Sequence, residues 1–155
     1  MRKLILLVGM VMFATATFAQ SDTDYLEYSR SVLKAEKKAM VSEALMLNDS
    51  LGKIFWPLYN EFNEKLYAIE SKNYEVILDY AANYEKMTDE KAEELWKAYH
   101  AAELERLKLM GTYFNKFKKA LSAGTAVKYM QIENKIDVMI DASVALEIPL
   151  VEVKK

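Results

Sequence analysis

The sequence predicts an all-α protein, an elongated bundle of about four long helices, and three observations carry that prediction. Apolar residues recur at three- and four-residue steps along most of the chain. Only four glycines and two prolines punctuate 155 residues, too few turn-formers for a β-sandwich or barrel. A periodic stretch from Leu58 to Met87 would also form a helix about 45 Å long at 1.5 Å per residue. A compact globule of this chain length is only roughly 37 Å across.

The first 19 residues read as an address. Met1-Arg2-Lys3 is basic, Leu4 to Phe13 is apolar, and Ala14 to Ala19 is a run of mostly small residues. That is the order of a secretory signal peptide, with cleavage expected between Ala19 and Gln20. The alternative is an uncleaved anchor, but Leu4 to Ala19 is 16 residues, short of the roughly 20 that span a bilayer. No cysteine stands at the cleavage region to carry a lipid. The expectation is a bacterial Sec signal over residues 1–19 and one helical domain over 20–155. It places the product in the periplasm or outside the cell, with no membrane insertion after cleavage.

The first helix is expected from about Tyr25 to Met46, capped by Thr23 or Asp24, with Leu26, Leu33, Met40, Val41, Ala44 and Leu45 at helical spacing. The second runs from about Asp49 to Lys86. Its Tyr59, Phe62, Leu66, Ile69, Val76, Tyr80 and Met87 form a heptad-like seam, interrupted by Asn73 and Asn83. Pro57 lies inside it and removes a backbone hydrogen bond, so it either kinks this helix or restarts it; the kink is the reading adopted. The third, about Asp89 to Ala120, carries Leu95, Tyr99, Ala102, Met110, Tyr113 and Phe117 on one side. The fourth, about Ala123 to Leu146, carries Tyr129, Ile132, Ile136, Met139, Ile140 and Ser143, and ends before Ile148-Pro149.

Three junctions share a pattern: Leu47-Asn48, Met87-Thr88 and Leu121-Ser122 each place an apolar residue before a capping residue. The Asn, Thr or Ser oxygen is suited to accept from an orphan N–H of the next helix, and the apolar residue to fold back as a staple. The third residue after each cap is Leu51, Lys91 or Thr125, not the Glu or Gln of a full capping box. Any helical protein carries such caps.

With an export signal ahead of them, these junctions make the chain resemble the Spy/CpxP-type family of small bacterial periplasmic proteins. That family repeats Leu-Thr-x-x-Gln (LTXXQ) at helix starts. Here Met87-Thr88, Leu121-Ser122 and Leu47-Asn48 look like degenerate copies, with Lys91, Thr125 and Leu51 in the place of Gln. The resemblance implies an elongated four-helix protein pairing into a curved antiparallel dimer. It also implies ATP-independent chaperoning of envelope proteins, stress-sensor adaptation and, in some branches, metal sensing.

The rest of the composition mostly excludes. With no Cys there are no disulfides, thiol nucleophiles or Cys-ligated metals, and a single His rules out a multi-His cage. His100, with Glu93 and Glu103 nearby, lacks a second strong ligand and reads as a surface or boundary residue. Losing Arg2 and Lys3 leaves 19 basic against 23 acidic residues, a net charge of −4, unlike the basic balance of a nucleic-acid binder. Acidic pairs such as Glu93 and Glu94 sit among lysines, as Glu61 does with Lys65, a pattern of intrahelical ion pairs rather than acid–base chemistry.

The expectation is therefore no enzyme, no cofactor and no metal site. The best interaction candidates are Tyr67, Tyr74, Ile77 and Tyr84, which with Ala81 widen the apolar arc of the second helix; each also fits an ordinary bundle core. The functional expectation is a homodimeric periplasmic chaperone or envelope-stress adaptor that binds partly unfolded proteins. The alternative is a periplasmic sensor or adaptor, metal-responsive in one version, that docks on a membrane-bound regulator.

Overall fold

The computed structural model describes the backbone of residues 21–152 and the side chains of residues 33–152. The signal-like segment and the side chain of Leu26 lie outside the described residues. Within them the fold is all-α: α1 (Ser21–Leu45), α2 (Asp49–Asn83), a 3₁₀ turn (Tyr84–Lys86), α3 (Asp89–Ala120) and α4 (Ala123–Glu147). Three of the four expected helices match to within a few residues. The first differs: Thr23 and Asp24 are helical, two and three residues inside α1, and so do not cap it.

The described residues divide into two compact units, one built on residues 47–127 and the other on 21–46 with 128–149. In the second of these, Val41 and Leu45 of α1 and Tyr129 and Ile136 of α4 are buried. A Lys37–Glu133 ion pair at 2.6 Å ties the two helices. Leu33, Met40, Ala44, Ile132, Met139, Ile140 and Ser143 are half-buried.

The first unit is an antiparallel hairpin of α2 and α3. At 1.5 Å per residue these helices are about 52 and 48 Å long. Phe55, Tyr59, Phe62, Leu66 and Ile69 of α2 are buried, as are Leu95, Ala102, Tyr113 and Phe117 of α3. Phe55 meets Phe117 with ring centroids 5.3 Å apart, and Phe62 meets Tyr113 at 5.1 Å. Each such side chain removed from water is worth about 1.5–3 kcal/mol. The expected seam is thus the core from Tyr59 to Ile69, while Val76, Tyr80 and Met87, toward the turn, are half-buried. Tyr99 departs from expectation: it is 45% exposed, on the margin of the buried face of α3.

Pro57 lies inside a continuous α2, so the helix does not restart there. Proline has no N–H for the Lys53 carbonyl, the bond its position would otherwise supply.

All three junction residues cap as expected. Asn48 Oδ1 accepts from the Leu51 amide at 2.9 Å, Thr88 Oγ1 from the Lys91 amide at 3.2 Å, and Ser122 Oγ from the Thr125 amide at 3.1 Å. Leu51, Lys91 and Thr125 therefore supply the capped amides. Leu47, Met87 and Leu121 are half-buried beside them.

Candidate interaction surface

One edge of the α2–α3 hairpin is ionic. Lys116 pairs with Glu61 at 3.0 Å, Lys72 with Glu105 at 2.5 Å, and Lys91 with Asp79 at 2.7 Å. On α2, Glu61, Lys72 and Asp79 are eleven and seven residues apart. At 100° per residue those steps return within about 20° of the same direction, so the pairs line one stripe. Lys65 also reaches Glu61 at 3.4 Å, the expected i,i+4 pair, and Lys116 lies 4.4 Å above the Tyr113 ring.

Electrostatics at this edge favours the charged forms. The Glu61 carboxyl is held down to about 2, first by the Tyr113 hydroxyl and then by the Lys116 ammonium. The Tyr113 hydroxyl itself makes no hydrogen bond of good geometry, so the Lys116 contact is the firmer of the two. Lys91 is raised above its ordinary value by Asp79 first and then Glu94.

The opposite flank of α2 is aromatic and aliphatic. Tyr67 and Tyr74, seven residues apart, project about 120° from the core direction, and Leu78 falls in the same sector. Tyr67 is 37% and Leu78 50% exposed, Ala81 is exposed and Tyr74 is half-buried. Ile77 and Tyr84 belong elsewhere. Both project within about 40° of the core line, both are half-buried, and Tyr84 packs on Tyr80 at 5.8 Å. The four candidates therefore separate into a surface pair, Tyr67 and Tyr74, and two residues at the thin end of the core.

A second apolar surface lies outside the inward stripe of α3. Trp96, Leu104 and Leu107 are 62, 56 and 59% exposed on the far side of that helix. His100 stacks on Trp96 with centroids 6.0 Å apart, an exposed aromatic pair rather than a ligand set. The available signal was a second apolar repeat at three- and four-residue steps, displaced from the first. Among the described residues, no group of three or more His, Asp or Glu side chains is gathered as for a metal ion. Among them too, no helix is long and apolar enough to cross a membrane. Compared with protein-family models, with curated proteins and with solved structures, the chain has no match.

Proposed function

We propose that this protein is an exported, homodimeric chaperone or envelope-stress adaptor that works without ATP in the periplasm and holds partly unfolded proteins on the α2 flank. One observation carries the reading: Tyr67, Tyr74 and Leu78 keep apolar surface at the side of a hairpin whose opposite edge is closed by ion pairs. Tyrosine suits transient binding because its ring buries against an apolar segment while its hydroxyl stays hydrated. The capped junctions and the resemblance to the Spy/CpxP-type family support the same role. No catalytic step, cofactor or nucleic-acid partner belongs to it.

The test is aggregation of a chemically denatured client, followed by light scattering at near-stoichiometric ratio without nucleotide. The protein should suppress scattering, and Tyr67→Ser/Tyr74→Ser should lose most of that protection while melting as the parent does. Failure to protect any of several clients would overturn the reading. Recovery of one stoichiometric membrane protein from envelope extract would instead favour the regulator-docking adaptor.

A further inference from the structure

The outward stripe of α3 has a composition that the hairpin does not use. Trp96, His100, Leu104, Leu107, Gly111 and Phe114 follow one another at steps of four, four, three, four and three residues. At 100° per residue they fall within an arc of about 80°, centred roughly 130° from the buried face of the same helix. Glu93 and Lys118 extend the stripe at its two ends. It is a second seam on a helix whose first seam is already occupied by α2.

Two further features narrow what could cover it. The charges that lie on the stripe itself stand at its two ends, the acidic Glu93 near the start of α3 and the basic Lys118 near its end. A second α3 running antiparallel would set each acidic end against a basic one, whereas a parallel copy would oppose like charges. Gly111 is the other feature. It sits inside the helix without a positive φ, and a Cβ built on it would meet nothing within 4 Å. Glycine there weakens the helix relative to alanine, and nothing among the described residues requires it. A closely approaching partner would.

We propose that this stripe pairs with the same stripe of a second copy, antiparallel and isologous, in a register that places Leu104 against Leu107, His100 against Gly111, and Glu93 against Lys118. That single register satisfies all three features. The leucines form an apolar centre, the missing Cβ of Gly111 admits the imidazole beside Trp96, and the terminal charges close the ends. Each contact occurs twice by symmetry. The Glu93–Lys97 pair within each helix is exposed, 65 and 69% at the two side chains, and leaves Glu93 accessible to the second copy. The inference deepens the homodimer part of the proposed function and stands apart from client binding, which uses α2.

Sedimentation equilibrium on the purified protein, in the form recovered from cells, tests it. The parent should be a dimer in the micromolar range, and Leu104→Glu/Leu107→Glu should dissociate at least ~100-fold more readily, four leucine side chains being lost per dimer. These leucines are exposed, so circular dichroism should show the fold intact. Glu93→Lys and Lys118→Glu should each weaken the dimer, and their combination should restore it. Gly111→Ala should raise the melting temperature of the dissociated chain but weaken association, opposite signs that a purely intrachain role would not give. Because the chain has no cysteine, mild oxidation of Leu104→Cys should cross-link two copies near the symmetry axis, while Trp96→Cys should not.

A monomer at ~100 µM, a dimer indifferent to Leu104→Glu/Leu107→Glu, or efficient cross-linking of Trp96→Cys would each overturn the inference. The first outcome is the one expected if another part of the same chain covers the stripe. Client protection by a monomeric Leu104→Glu/Leu107→Glu protein would separate the two roles. Loss of protection in Tyr67→Ser/Tyr74→Ser with the dimer intact would bear on the client surface alone.

Discussion

Lys37 Nζ lies 2.6 Å from Glu133 Oε2, joining α1 to α4 through a carboxylate that is 1% exposed. Beyond this ion pair neither carboxylate oxygen of Glu133 has a hydrogen bond of good geometry, and Glu36 Oε2 is likewise buried without one. A charge so deeply withdrawn from water is tolerable only while its counter-ion stays. Lys37→Met is therefore expected to destabilise the protein by about 3–5 kcal/mol. The double variant Lys37→Met/Glu133→Leu, which removes both charges, should come close to the parent or exceed it. Urea denaturation checks both. A single Lys37→Met variant as stable as the parent would mean that the ion pair does not hold α1 to α4.

The three junction caps should be separable by mutation. Asn48→Ala, Thr88→Ala and Ser122→Ala each free one first-turn amide, those of Leu51, Lys91 and Thr125 respectively. The expected cost is about 1 kcal/mol for each, and only a few tenths for the corresponding glycine variants. Amide exchange should accelerate locally at the released N–H before global unfolding is affected. Ser122 has a further contact, Oγ to Oγ1 of Thr125 at 2.9 Å, so its loss also frees a hydroxyl.

The ionic edge predicts an acid limb in the stability profile. Glu61 titrates at about 2 when folded against 4.5 as the ordinary value. A depressed folded value means that the stabilisation is complete above pH 4.5 and is lost as pH falls through the interval down to about 2. Glu61→Gln should flatten that part of the profile, and Lys116→Met should move the Glu61 titration upward in an NMR pH series. Since the pair is about two-fifths exposed at both side chains, added salt should shrink the effect. A titration unmoved by Lys116→Met would contradict this account.

Helix existence and extent were legible because periodicity and capping are local. Asn48, Thr88 and Ser122 cap whatever follows them, and the heptad steps from Tyr59 to Ile69 identify the buried line without knowledge of a partner. Partner-dependent features were not legible. Glu133 reads as a solvated charge until the fold places Lys37 beside it. Ile77 and Tyr84 look like an interaction flank until the core direction of α2 is fixed by Phe55 and Leu66. Trp96, Leu104 and Leu107 do not stand out because α3 offers two apolar lines and the sequence does not rank them. Thr23 and Asp24 are residue types that favour caps, yet they stand inside a longer helix that begins at or before Ser21.

The end of α1 holds a residue that ordinary helix chemistry would not choose. Met46 has φ 47°, in the left-handed region, and its amide donates to the Ser42 carbonyl at 3.1 Å. This is the position after a helix where glycine is favoured, because a Cβ crowds the backbone there. Met46 is also 81% exposed, so its side chain gains little from packing to offset that cost. Met46→Gly should therefore stabilise the protein by about 0.5–1 kcal/mol, the relief of left-handed strain exceeding the extra chain entropy lost on folding. Met46→Ala removes the side chain but keeps the Cβ, and should leave stability nearly unchanged. Thermal melts of the two variants beside the parent distinguish backbone strain from side-chain loss. If alanine stabilised as much as glycine, the strain at Met46 would not be the cause.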